Sequence, residues 1–171
     1  MMAIAITLSM QQRPKKLTLK HRALHYLSLR EHSRLELGRK LMRYAEPEDD
    51  IEVLLDFLEN AKLLSNQRFS ETLVRRRVQD YGNNRILAEL QTHQLDPQLL
   101  EQTKTTLAES EVARAQKLLR KKFGNPMSVK NRAISSEQRA KQIRFLIQRG
   151  FSSDSIRIAL RAELVDQGDI C

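Results

Sequence analysis

The chain has 171 residues, room for one domain of ordinary size or a few very small ones, and 40 % of them are apolar. With no Trp, five Phe, three Tyr, five Gly and four Pro, it lacks the turn residues of a strand-rich fold, so its core is expected to be Leu, Ile, Val and Ala on helices. Thirty Lys and Arg against 21 Asp and Glu leave +9, which points to polyanions or an acidic protein surface as partners, while the single Cys171 excludes a disulfide within the chain and suits a reducing cytosol.

Residues 1–16 are read as a flexible tail. Met1 to Met10 is mildly apolar, but Arg13, Lys15 and Lys16 follow that stretch instead of preceding it, the reverse of a secretory signal. Nothing approaches the ~18 apolar residues of a membrane span. The first three-helix unit, 17–62, opens with a helix from Lys20 to Arg30 that turns Ala23, Leu24 and Leu27 inward. The chain turns at His32. Ser33-Arg34-Leu35-Glu36 then has the spacing of a capping box, with Leu37 and Leu41 buried and Leu35 and Met42 at the edges. Pro47 suits the first turn of a third helix, placing Glu48, Asp49 and Asp50 at its positive end. Ile51, Leu54, Leu55 and Leu58 recur at i, i+3, i+4 and i+7, one buried stripe.

The second unit, 63–108, repeats that order. Phe69, Leu73, Val74, Val78 and Tyr81 make the apolar face of its first helix. Gly82 is expected to close that helix in the left-handed conformation, with Asn83 or Asn84 capping the next. Ile86, Leu87 and Leu90 face inward there, and Asp96-Pro97 opens a third helix through Leu99, Leu100, Thr103 and Leu107. The third unit, 109–171, starts with a helix from Glu109 to Phe123 carrying Val112, Ala115, Leu119 and Phe123, stopped by Gly124. Residues 124–134 break the pattern and are expected to be mobile. Ser135 or Ser136 starts a helix with Ala140, Ile143 and Ile147 inward, Gly150 ends it, and Ser153 caps the last helix through Ile156, Ala159 and Leu160. The corner residues His32, Gly82 and Gly150 lie 50 and then 68 positions apart, unequal for a strict repeat.

Charge is distributed in blocks. Residues 1–45 hold ten basic and two acidic side chains and 46–64 one and seven. Residues 65–93 hold five and three, 94–112 one and four, and 113–171 thirteen and five. Catalytic chemistry has no comparable signal. The chain has no Gly-rich phosphate loop, no Walker-type lysine and no Gly-x-Ser-x-Gly elbow. His21 and His25 share a helix face but lack a third ligand, and Glu46 to Asp50 contains a proline and none of the alternation of a calcium loop. No enzyme and no cofactor are expected.

The basic side chains are the candidates instead. Arg75-Arg76-Arg77 spans most of a helical turn, so at least one arginine must face solvent. Lys117, Arg120, Lys121 and Lys122 gather in the last turn of their helix, where they also complement its dipole. Arg157 and Arg161 form an i, i+4 pair on the final helix, near Arg144 and Arg149, and Arg30, Arg34 and Arg85 flank the first two corners. Arginine suits carboxylate or phosphate because its planar fork donates two parallel hydrogen bonds. Helix–corner–helix units also fit a DNA reader with its second helix in the major groove, for which Arg34, Arg39, Lys40, Asn84, Arg85, Arg157 and Arg161 are the outer-face supply. No symmetric dimer element is evident, and a monomer is expected.

At these residues the chain resembles the RecX family of regulators of the RecA recombinase. The resemblance begins at Tyr26-Leu27-x-x-Arg30-x-His32-Ser33-Arg34-x-Glu36-Leu37-x-x-Lys40-Leu41. It continues through Leu54-x-x-x-Leu58, Arg68-Phe69, Val74-Arg75-x-Arg77 and Gly82-x-x-Arg85-Ile86-x-x-Glu89-Leu90. It ends at Phe145-Leu146-x-x-Arg149-Gly150-Phe151-Ser152-x-Asp154-x-Ile156-x-x-Ala159-Leu160, covering about residues 17 to 164. Ser70 stands where the family usually has alanine, and Asn83-Asn84 where it favours Gly or Pro. The resemblance implies an all-α fold of three tandem three-helix repeats, elongated and curved. It further implies a cytoplasmic protein that lies in the groove of a RecA filament on single-stranded DNA and inhibits ATP hydrolysis, strand exchange and promotion of repressor cleavage. Whether DNA, single-stranded or duplex, is touched directly stays open at this point.

Overall fold

The computed structural model describes residues 17–124 and 135–165. The expected tail at 1–16, nearly all of the expected break at 124–134 and Cys171 lie outside them. Among the described residues there are eight α-helices, one 3-10 turn and no strand. They are α1 Leu19–Leu29, α2 Arg34–Leu41, the 3-10 turn Met42–Tyr44, α3 Ile51–Asn60, α4 Asn66–Arg77, α5 Asn83–Gln91, α6 Pro97–Phe123, α7 Ser136–Gln148 and α8 Ser153–Val165.

Most helices start where a short polar side chain can accept from an amide that lacks an intrahelical partner. Thr18, Ser33, Asp50, Ser65 and Asp96 do so for α1, α2, α3, α4 and α6. A full capping box forms at α7, where the Ser135 hydroxyl accepts from Gln138 N and the Gln138 amide oxygen accepts from Ser135 N. At α2 only half of the expected box exists. Ser33 Oγ accepts from Glu36 N at 3.1 Å, but the Glu36 carboxylate turns to the Arg30 guanidinium, a stronger, charged partner. Pro47 sits in a turn before α3, and Asp50 caps that helix through Val53 N at 3.0 Å. The cap of α8 is Ser152, one residue before the one expected: its hydroxyl accepts from Ser155 N at 3.2 Å.

The helices of the second unit's end and the third unit's start are one helix, α6, with the expected boundary at 108/109 inside it. No Gly or Pro interrupts it between Pro97 and Gly124. Leu107, Glu111, Ala115 and Leu119 are all buried at steps of four, and each step advances about 40° around a helix with 3.6 residues per turn. The buried stripe therefore rotates about 120° from Leu107 to Leu119. Its first half faces one core and its second half the next.

Three cores follow one another along the chain. Leu19, Ala23, Leu37, Leu41, Leu55, Leu58 and Leu64 form the first. Phe69, Leu73, Ile86, Leu90, Leu95 and Leu107 form the second. Ala115, Leu118, Leu119, Leu146, Phe151, Ile156, Ala159 and Leu160 form the third. Three residues expected inside are exposed: Leu24, Phe123 and Ile147, the last displaced by its neighbour Leu146, which is fully buried. Phe123 instead meets the Phe145 ring edge-on at 5.7 Å.

Candidate interaction surface

Two of the three corners are not separate joints. Gly82, at the start of α5, packs against Gly150, at the end of α7. Gly82 N donates to Arg149 O at 2.9 Å and Asn84 N to Gly150 O at 3.0 Å. Gly82 has φ −81°, not the left-handed conformation expected of it. Glycine is required there by proximity, since a Cβ would fall on the backbone of Gly150 and Phe151. Gly150 does adopt φ +78°, at the C′ position of a Schellman motif in which Gly150 N donates to Ile147 O and Phe151 N to Leu146 O. A Cβ there would also lie 2.6 Å from Arg85 Cβ.

Neither Asn83 nor Asn84 caps α5. The Glu111 carboxylate of α6 does, accepting from Asn83 N at 2.8 Å, and it holds α8 as well. It accepts from Ser152 N at 3.3 Å and from the Ser152 and Ser155 hydroxyls at 2.7 Å each. Glu111 is 4 % exposed; burial alone would raise its pKa, but these hydrogen bonds outweigh that and hold it below the usual carboxylate value. One turn on, Arg114 donates to Tyr81 O at 2.8 Å, to Leu107 O at 3.2 Å and to Asn83 Oδ1. Sequence reading missed both residues. The one available signal was a carboxylate within the four-residue apolar spacing of α6.

This junction aims three of the candidate arginines at one ring. The guanidinium carbon of Arg85, on α5, lies 4.3 Å from the Tyr81 ring centroid. That of Arg149, at the end of α7, lies at 5.6 Å, and that of Arg77, on α4, at 5.9 Å. All are within cation–π range. Arg149 is also oriented by donation to Asp80 O at 2.9 Å, and it lies 5.2 Å from the Phe145 ring. Arg77 is held by a two-point pair with Glu89 at 2.8 and 2.9 Å, which raises its pKa. Arg85 is exposed, so its outward edge is available to an anion.

The other candidates are distributed differently. Arg75 and Arg76 are exposed on α4, as are Lys117, Arg120, Lys121 and Lys122 on the second half of α6. Lys117 reaches Gln79, in the turn after α4, at 3.5 Å, extending the basic face beside the Tyr81 cluster. Arg144, Arg157 and Arg161 are exposed; Arg144 bonds Ala140 O within its own helix and Arg157 pairs with Asp154 at 2.9 Å. Arg30 and Arg34 are committed inside the first unit. Arg30 binds Glu36, and Arg34 is shared by Glu52, Asp56 and Glu59 at 2.6–2.8 Å, with its pKa raised by them.

The first corner is also covered. Arg34 N donates to Asn66 Oδ1 at 2.9 Å, Ser33 Oγ bonds His93 Nδ1 at 2.9 Å, and Arg68 pairs with Glu31 at 2.8 Å. The starts of α2 and α5 thus face neighbouring helices, whereas a major-groove reader must present the start of its second helix outward. Among the described residues no three His, Cys, Asp or Glu side chains converge as a metal would need, and no helix is long and apolar enough to cross a membrane.

Comparison with known proteins adds independent findings. A family model described as RecX, first three-helix domain, matches residues 20–58, and one described as RecX, third three-helix domain, matches residues 109–160. The chain is 54 % identical over 148 residues to the regulatory protein RecX of Herminiimonas arsenicoxydans, covering 86 % of this chain and 94 % of that one. It is 45 % identical over 156 residues to the regulatory protein RecX of Ralstonia pickettii (strain 12J), covering 90 % and 94 %. Its fold resembles the crystal structure of RecX from Lactobacillus salivarius with a TM-score of 0.71 at 22 % identity, covering 86 % of this chain and 95 % of that one.

Proposed function

The chain belongs to the RecX family of regulatory proteins, and from that premise we propose that it binds the RecA recombinase and its filament on single-stranded DNA, lies in the filament groove and inhibits ATPase, strand-exchange and coprotease activities. It acts in the cytoplasm, as a monomer and without turnover of its own. The observation that carries this reading is the convergence of Arg77, Arg85 and Arg149 on Tyr81 at the contact between two helical units. A cation held against an aromatic ring loses less freedom on binding than a loose surface charge. Its placement across a junction, with Arg75, Arg76 and Lys117 alongside, suits an extended anionic partner better than a pocketed small molecule.

The test is recombinase ATPase on single-stranded DNA, titrated with the protein at two salt concentrations. Arg85→Glu and Arg149→Glu are expected to require about tenfold more protein for half-inhibition, equivalent to about 1.4 kcal/mol. Arg75→Glu, Arg157→Glu and Arg161→Glu are expected to shift it less, and an unchanged melting temperature would exclude unfolding as the cause. Inhibition by all five variants at the wild-type concentration would sink the reading. Tight duplex binding without recombinase, weakening with a salt slope near −0.9 per phosphate contacted, would favour a DNA-binding module instead.

A further inference from the structure

The first unit carries a surface of opposite character. A groove of about 750 Å³ opens between α2, α3 and the loop that follows α5. Leu55, 2 % exposed, forms its floor beside Gly38, whose missing side chain recesses the wall of α2. A Cβ on Gly38 would come within 3.3 Å of Leu55 Cδ1. Met42, 68 % exposed, stands at the mouth, a flexible thioether that adapts to varied apolar shapes.

The rim is acidic on a protein that is otherwise strongly basic. Glu48, Asp49, Asp50 and Glu52 line it, against Arg34 and Arg39. Arg34 and Glu52 pair with each other at 2.6 Å, and Arg34 also meets Asp56 and Glu59 of α3, so Glu48, Asp49 and Asp50 against Arg39 leave the rim acidic. An acidic rim repels nucleic-acid phosphate. It attracts Lys or Arg, and the apolar floor adds a place for a neighbouring apolar side chain.

We propose that this groove receives a cationic, partly apolar segment of the partner protein, with an apolar side chain seated against Leu55, Gly38 and Met42 and an adjoining Lys or Arg held by Glu48 and Asp49. The proposal rests on the filament reading above and deepens it: the basic faces address anions, while this groove addresses protein. One ligand surface for each would fix the molecule's orientation on a filament made of both.

The experiment uses the full chain with p-benzoylphenylalanine in place of Met42 or, separately, of exposed Gln148 beside Arg149. Each is irradiated on recombinase filaments assembled on single-stranded DNA, and the crosslinked peptides are sequenced by mass spectrometry. Position 42 is expected to capture a recombinase peptide in which Lys or Arg adjoins an apolar residue. Glu48→Lys should lower that yield about tenfold and leave the yield from position 148 unchanged. Capture of DNA or of a second copy from position 42, or no capture there while position 148 reacts, overturns the groove proposal alone. Silence at both positions overturns the filament reading and the groove with it.

Discussion

Glu111 is the residue on which the contact between the second and third cores depends. Its two oxygens accept from two amides and two hydroxyls, so no neutral side chain of its size satisfies all four donors. A buried donor left unpaired costs about 1–3 kcal/mol. Glu111→Ala is therefore expected to cost at least about 3 kcal/mol in urea unfolding, while exposed Glu109→Ala on the same helix stays within about 0.5 kcal/mol. Equal midpoints for the two variants would refute the role given to Glu111. Gly82 and Gly150 show a second residue-scale point. One is required by a neighbouring backbone and the other by its own φ, although both look alike as corner glycines in sequence.

At the scale of the element, helix ends account for most of what is regular here. α3 ends in the same Schellman geometry as α7: Lys62 N donates to Glu59 O and Leu63 N to Leu58 O, each at 2.9 Å. The C′ position, however, is Lys62 at φ +59°, where an L side chain crowds the carbonyl. Lys62→Gly is expected to stabilise the protein by about 0.5–1 kcal/mol, a rise of roughly 1–4 °C in Tm by calorimetry. A lower Tm would show that the stem of Lys62 contributes more than its backbone costs. α6 is the exception to regular spacing. Its stripe winds from one core to the next, so a single helix does the work that the sequence pattern divides between two.

Across the whole molecule, the two junctions differ in chemistry and so in their response to acid. The first rests on His32 and His93. Buried His32 has Nδ1 2.9 Å from Arg30 O, which requires it to donate, leaving Nε2 to accept from Lys40 Nζ at 2.9 Å. His93 lies against Ser33 and 4.5 Å from the Phe69 ring. Burial lowers the pKa of both imidazoles, against the Arg30 carbonyl hydrogen bond at His32, Glu36 at both and Glu89 at His93, and with help from the charges of Arg30 and Lys40 at His32 and of Arg30 and Arg39 at His93. The unfolded chain then binds more protons below its ordinary His value of 6.5, so this stability is present above 6.5 and is lost as pH falls through the depressed folded values. Glu111 and Glu36, both below the ordinary 4.5, lose theirs only in more acidic solution. Between pH 7.5 and 5.5, amide exchange corrected for intrinsic rate is expected to quicken at residues 31–37 and 66–69 while 83–86 and 153–156 keep their protection. Loss of protection at both junctions together would contradict this order.

Local signals were sufficient for most of the helices and for the larger part of each core, although Leu19, Leu64, Leu95, Leu118, Leu146 and Phe151 join the cores without having been expected there. Hydroxyl and carboxylate caps, Gly124 and Gly150, and stripes such as Leu54-Leu55-Leu58 act within a few residues, where sequence spacing and spatial distance are nearly the same thing. The basic composition likewise named the pool of candidate arginines, and spacing required at least one of Arg75, Arg76 and Arg77 to face solvent; the structure exposes Arg75 and Arg76. It could not separate Arg85, exposed beside Tyr81, from Arg34, drawn in by three carboxylates of another helix. Nor could it show that Gly82 touches Gly150 or that Glu111 serves two helices at once. Those facts depend on backbones brought together from 28 to 68 positions apart, through packing of whole cores and the winding of α6. Helical content follows from short-range capping and periodicity; which charges remain for a partner follows only from tertiary distance, because that distance decides which of them already have one.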